Sequence, residues 1–321
     1  MTLPERYTHL DVLASTIDFH GRLVALLIDP ARFGPLASGS AQPNMRYNAT
    51  AVICDATDVH EIALNDLDLR FTVIDVRGDG IVVGAASIPS VGVHARTYAG
   101  SVPAEELDLT TNVWLFDDGG TPVGTFYAGD AIEQLVTDRD GRIWIAYIDQ
   151  ARYWAAEPGG TRHLYAPVGL ARWDDANDRP WLACENIDSV FWMDCYSLNV
   201  GHARVHACPF PRFPLVEIDT DGDFSSTANP VEYCHGLAVS GSDFAFLYPH
   251  LRRDDPAGWE IRMARRQDGV IVETGQEWLT LPDGRTPTGW VQGKVGRDAT
   301  LFLQEAGDPR RWYRYDMDDA K

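Results

Sequence analysis

The stretch IDFHGRLVALLID, from Ile17 to Asp29, returns as TDRDGRIWIAYID at Thr137 to Asp149. Asp18 matches Asp138, Gly21 matches Gly141, Arg22 matches Arg142 and Asp29 matches Asp149. A looser copy, IDVRGDGIVVGAA, lies midway, where Asp75 and Gly80 are expected to hold the same roles with one extra residue between them. Each copy reads as an apolar strand, a turn rich in Asp and Gly, and a second apolar strand. Glycine supplies the positive φ that a tight turn requires, and aspartate accepts hydrogen bonds from its own turn backbone, so the pattern is that of a β-hairpin. The copies recur at about 60 residues, a spacing that marks one structural unit repeated along the chain.

Further hairpins fill the intervals. NVWLFDDGGTPVGTFYAGD (Asn112 to Asp130) and GLARWDDANDRPWLACENID (Gly169 to Asp188) share one form, and others begin at Cys234, Trp259 and Gly289. Helical periodicity is nearly absent; Ala104 to Leu109 and Ala131 to Val136 are short and sit beside better strand signals. The inner-hairpin turn glycines Gly21, Gly80, Gly141, Gly201, Gly241 and Gly296 count six units. Repeats of four antiparallel strands at this spacing predict an all-β fold, a six-bladed β-propeller forming a single domain over residues 1–321. The last unit is one strand short. Glu5 to Leu10 is the expected replacement, closing the ring by pairing the chain's two ends and removing an exposed sheet edge.

On these D-x-x-G hairpins the chain resembles six-bladed propellers broadly, including the NHL-repeat and SMP-30/gluconolactonase-like groups. DGRIWIAYID, then DCYSLNV and FPLVEID, also resemble a group of actinobacterial propeller-like proteins of unassigned function, over Asn112 to Asp219. The resemblance implies fold more than function, because propellers host hydrolases, lyases, isomerases and pure binding modules.

Charge narrows the partners. With 27 Lys+Arg against 47 Asp+Glu the net charge is -20, a field that repels nucleic acid and anionic membrane surfaces. The first residues, MTLPERYTHLDVLAST, lack the pattern of a secretory signal, and no apolar run is long enough to span a bilayer. The five cysteines are odd in number and form no CxxC pair. A cytoplasmic protein without a disulfide framework is expected.

In a propeller the first strand of each blade lines a central channel, so polar residues at the start of those strands are the candidate site. They are Glu133 and Gln134, Asp194 and Cys195, Cys234 and His235, and Gln292. Glu133 and Asp194 are the candidate metal ligands, for a divalent cation such as calcium, which takes several oxygen ligands. Such an ion would polarise a carbonyl or activate water, the plan on which the SMP-30-like enzymes are built. Cys195 is a candidate nucleophile with His235 as base. Cys234 and His235, as strand neighbours, point to opposite faces.

Other patterns are weaker. His202, His206 and Cys208 in GHARVHACP share a face if the segment is a strand, and His206 and Cys208 alone make an incomplete zinc site. DTDGDFSSTANP, from Asp219, departs from a calcium loop and reads as a turn. Asn48-Ala49-Thr50 is a sequon without meaning in a cytoplasmic chain. Two functional expectations follow. One is a rigid module binding a small molecule or a protein partner at one channel mouth, with loop residues around Trp154 to Tyr165 contributing. The other is an enzyme with a channel-mouth site, either a metal-assisted hydrolase of lactones or esters or a lyase or cyclase, using Glu133, Asp194, Cys195 and His235.

Overall fold

The computed structural model describes residues 1–37, 46–55, 57–86, 111–148, 169–250, 258–287 and 291–319. The first meander is β1 (Asp11–Ile17), β2 (Leu23–Ile28), β3 (Tyr47–Cys54) and β4 (Val59–Leu67). The second is β5 (Val73–Arg77), β6 (Gly80–Gly84), β7 (Val113–Phe116) and β8 (Pro122–Phe126). Next come β9 (Ile132–Thr137), β10 (Ile143–Tyr147), β11 (Leu170–Trp173) and β12 (Trp181–Leu182). The fourth is β13 (Cys195–Val200), β14 (Arg204–Pro209), β15 (Leu215–Asp219) and β16 (Phe224–Thr227). The fifth is β17 (Gly236–Ser240), β18 (Asp243–His250), β19 (Gly258–Gln267) and β20 (Val270–Trp278). Finally β21 (Val291–Arg297), β22 (Thr300–Glu305) and β23 (Tyr313–Asp316) continue the pattern. A single parallel pairing, Asn199 with Gly296, joins this last group to β13, so the described strands form five sheets, one of them seven-stranded. Among the described residues, helix is confined to a 3-10 turn at Glu5–Tyr7, α1 (Pro30–Ala37) and α2 (Ala183–Asn186). Among the described residues no helix is long and apolar enough to cross a membrane. The segment considered for helix at Ala131 to Val136 is strand β9, while Ala104 to Leu109 lies outside the described residues.

The repeated turn is the same device each time. Asp18 Oδ1 accepts the N–H groups of His20 and Arg22 at 2.9 and 2.8 Å. Asp138 Oδ1 accepts those of Asp140 and Arg142 at 3.0 and 2.9 Å. Asp219 does the same for Asp221 and Asp223, so the would-be calcium loop is a capped turn between β15 and β16. Gly21, Gly141 and Gly222 sit at φ 76, 79 and 92°, where a side chain would be strained. Asp75 departs from this expectation. It lies inside β5 with its side chain fully buried, and the turn after it is made by Gly78 and Asp79.

Burial is greatest in the second strands and falls toward the outer edge of the sheets. The second strands β2, β6 and β10 are buried along their whole length, which is why they read as unbroken apolar runs, whereas the outer strands β16 and β20 are mostly exposed. The apolar core lies between sheets. Leu26 and Ile53 pack with Ile74 and Val83, Val82 with Ile145, Trp144 with Val200, Cys208 with Phe246, Leu247 with Leu301, and Val295 and Phe302 with Val12 and Leu23. The first strands touch in cyclic order: β1 meets β5, β5 meets β9, β9 meets β13, β13 meets β17, β17 meets β21, and β21 meets β1.

Arg297, on β21, reaches across the space these strands surround. It donates to Thr137 O at 2.6 Å, to Asp75 Oδ2 at 3.0 Å and to Ile17 O at 3.4 Å, which ties β21 to β9, β5 and β1. Asp75 Oδ2 also accepts the Thr137 N–H at 2.7 Å. Burial pushes the Asp75 carboxyl up to about 6, and the Arg297 charge and the Thr137 N–H hold it from going further.

Two further expectations are corrected. Glu5 to Leu10 is not a strand. The N-terminal pairing is made by Met1 to Leu3: Thr2 bridges Arg311, Leu3 N–H donates to Arg310 O at 2.9 Å, and Trp312 N–H donates to Met1 O at 2.9 Å. Gly296 is not a turn glycine but lies within β21, where β13 and β17 come closest. A Cβ there would lie 2.3 Å from the Leu237 carbonyl oxygen. Asn199 stitches the same point, donating to Leu237 O at 2.9 Å and to Asp298 O at 2.8 Å. Gly296→Ala is therefore expected to destabilise by about 1–3 kcal/mol, because backbone must move to make room. Urea unfolding would show this as a lower midpoint, and an unchanged midpoint would refute the close approach.

Candidate functional site

Glu133, Asp194 and His235 come from three sheets, yet each stands at the start of a first strand, on β9, before β13 and before β17. They therefore share one end of the central channel. Four first strands carry a register shift near that end, at Val12/Ala14 in β1, at the β9–β10 pair Ile132/Tyr147, at Cys195/Leu198 in β13 and at Val291/Gly293 in β21. Such bulges re-aim side chains and are common beside active sites.

Lys294 completes the group. Its Nζ lies 2.5 Å from Glu133 Oε1, joining β21 to β9, with only 8% of the Lys294 side chain exposed against 25% for Glu133. His235 is half-buried. The Tyr196 ring stacks on it at 4.8 Å between centroids and 18° between planes, and Trp259 meets its edge at 5.9 Å. Burial first, and then the Lys294 charge, hold the His235 imidazole down at about 4, with Glu133 opposing weakly. It is neutral at pH 7. Tyr196 O–H donates to Asp194 Oδ2 at 3.1 Å, and Gln134 Nε2 donates to Tyr196 O at 3.0 Å. The chain Asp194–Tyr196–His235 thus leads into the Lys294–Glu133 pair.

The structure brings Glu133 and His235 together through Lys294, and Asp194 joins them through Tyr196. No spacing rule marks Lys294 in the sequence, because the pair it forms spans 161 residues. The Lys294 ammonium lies against the Glu133 carboxylate. Among the described residues no group of three or more His, Cys, Asp or Glu side chains is placed to hold a metal. Cys195 is fully buried with its Sγ 3.4 Å from Ser197 O, and burial pushes its thiol far above the usual range, which disfavours the thiolate. Cys234 is likewise buried, in the apolar cluster that holds Cys208. The loop residues Trp154 to Tyr165 lie outside the described residues.

His202, His206 and Cys208 do not form one face. His202 is in the turn before β14 and pairs with Asp298, while Cys208 points into the core. His206 lies 3.5 Å from Glu217 Oε1, and Arg204 and Arg266 bond the same carboxylate. Hydrogen bonding from His206, and then from Arg266, outweighs burial and holds the Glu217 carboxyl down at about 2. A carboxyl depressed on folding contributes stability above its unfolded value and loses it as pH falls through the folded one. Glu217 is expected to contribute up to about 3 kcal/mol, lost progressively below about pH 4.5. Comparing acid unfolding of the wild type with Glu217→Gln tests this, since the variant should lose that part of the acid sensitivity.

No family model matches the chain, and no curated protein matches it. Among solved structures, virginiamycin B lyase from Staphylococcus aureus is similar at 11% identity and TM-score 0.46, covering 98% of this chain and 87% of that one. A gluconolactonase from Xanthomonas campestris is similar at 12% identity and TM-score 0.41, covering 98% and 97%. A putative 6-phosphogluconolactonase from Bacteroides uniformis is similar at 11% identity and TM-score 0.41, covering 95% and 84%. Likeness at that level carries nothing about function. The class is defined by the chain's own geometry: antiparallel four-strand meanders whose first strands meet around a channel are a β-propeller fold.

Proposed function

We propose that the chain is a single-domain, six-bladed β-propeller whose ring is closed by Met1 to Leu3 running beside residues 310–312. The cyclic contacts of the first strands and the apolar clusters between consecutive sheets support this reading. The five cysteines are all free thiols, which suits the reducing cytoplasm. The channel mouth where the first strands begin is proposed as the active site of an enzyme acting on a small molecule, a hydrolase of esters or lactones or a lyase.

One observation carries the catalytic reading over passive binding: a neutral, half-buried imidazole fixed between aromatic rings and beside a cross-channel Lys–Glu pair. His235 can accept a proton at pH 7, and negative charge developing in a bound substrate would raise its basicity. Lys294 supplies the positive charge that stabilises a developing oxyanion, the role that sequence reading assigned to a divalent cation. Glu133 holds Lys294 in place, and Asp194 orients the Tyr196 ring that stacks on His235.

The test is turnover of a panel of aliphatic and aryl esters and lactones. The wild type should turn over at least one, with kcat/KM at least about 100-fold lower in His235→Gln. No turnover across the panel, or equal rates in the variant, would sink the catalytic reading.

A further inference from the structure

Tyr233 stands two residues before His235, on the segment that leads into β17, and its backbone is in the left-handed region at φ 57°. Bulky residues avoid that region, where glycine or asparagine is the unstrained choice. The chain on both sides is pinned. Val231 N–H donates to Asn229 Oδ1 at 3.0 Å, Cys234 O accepts from Ser197 Oγ at 2.7 Å, and His235 N–H donates to Leu247 O at 2.8 Å. The strained residue is thus held in place by its backbone neighbours, and the residue is 53% exposed. Beneath it the ring rests on Phe213 at 5.1 Å, and Phe213 in turn meets Phe210 at 5.8 Å.

The segment leading into β9 shows that a left-handed residue there needs no ring. Ala131, two residues before Glu133, has the same left-handed conformation, at φ 60°. The left-handed backbone at 233 therefore does not itself require an aromatic side chain, and strain of this kind gathers at functional sites.

We propose that Tyr233 is a stacking platform for ligand, and that the channel mouth takes substrates carrying a planar aromatic or heteroaromatic group beside the reacting carbonyl. This rests on the reading of the mouth as a small-molecule site, and it names the substrate class for it.

The experiment measures binding of phenylacetate and of cyclohexylacetate, the same carboxylate with a planar and a saturated ring, by ligand-observed NMR titration of the full chain. The wild type should bind phenylacetate about two- to tenfold more tightly, the worth of one aromatic stack. Tyr233→Phe should keep that preference. Tyr233→Gly should abolish it while melting at the same or a higher temperature, because glycine relieves the strain. Equal binding of the two probes, binding of neither, or a preference that survives in Tyr233→Gly would overturn the proposal, and a lower melting temperature with the preference intact would mark the ring as structural only. Ester and lactone turnover separates this from the catalytic reading. Turnover without ring preference refutes the platform alone, and ring preference without turnover refutes the catalysis alone.

Discussion

Replacing Arg297 with methionine is expected to lower the unfolding free energy by about 3–5 kcal/mol at pH 8, because it leaves the fully buried Asp75 carboxylate without its cation. The two sit on β21 and β5, so their pairing acts across the channel, together with the bonds to Thr137 and Ile17. The loss should depend on pH in a definite direction. Burial already raises the Asp75 carboxyl to about 6, and without Arg297 it should rise further. A carboxyl raised on folding contributes stability below its unfolded value and loses it as pH rises through the folded one. Arg297→Met should therefore be hurt less at pH 5, where Asp75 can be neutral, than at pH 8. The double variant Arg297→Met with Asp75→Leu should recover much of the loss, since an apolar pair can replace a buried ion pair nearly without cost. Chemical denaturation of the wild type and the two variants at both pH values decides it. An equal loss at pH 5 and pH 8 would show that Asp75 does not carry the charge assigned to it.

The second large effect concerns turnover. Lys294→Met is expected to lower kcat/KM on any ester or lactone substrate by about 100- to 1000-fold, the usual consequence of removing one group that stabilises a developing oxyanion. Removing the ammonium also takes away one of the two influences that hold the His235 imidazole down, so its titration should move upward from about 4. An NMR titration of the His235 ring protons reads this independently of activity. A variant whose His235 titrates as in the wild type would show that Lys294 does not act on the imidazole. Full activity in Lys294→Met would remove it from the mechanism.

Much of the fold was legible because hairpin turns are local. Asp18, Asp138 and Asp219 bond residues two and four positions along, so their meaning is contained in a few consecutive residues. Asp75 looked like one more such turn and was not. Its dipeptide context resembles the others, but its partners are Thr137 and Arg297, and nothing within reach of a turn reveals them. Gly296 misled in the same way, because a glycine required by a close approach of three strands looks no different in sequence from one required by a turn. The site followed this division. Glu133, Asp194 and His235 were readable as polar residues at the start of first strands, a positional argument that needs only the repeat. Lys294 was not.

Local hydrogen bonding and alternating burial are encoded over a handful of residues, and so the sequence by itself determined the hairpins, the all-β class and the end of the strands at which polar groups collect. The partner of each channel-facing charge depends instead on which sheets stand opposite one another once the first strands meet in cyclic order. Only the tertiary structure decided that an ammonium from β21 lies beside Glu133, that an arginine from the same strand reaches Asp75, and that the three N-terminal residues, not Glu5 to Leu10, pair with the chain's end. Coulomb interactions and packing act through space, and residues far apart in the chain carry no mark of the distance that folding brings them to.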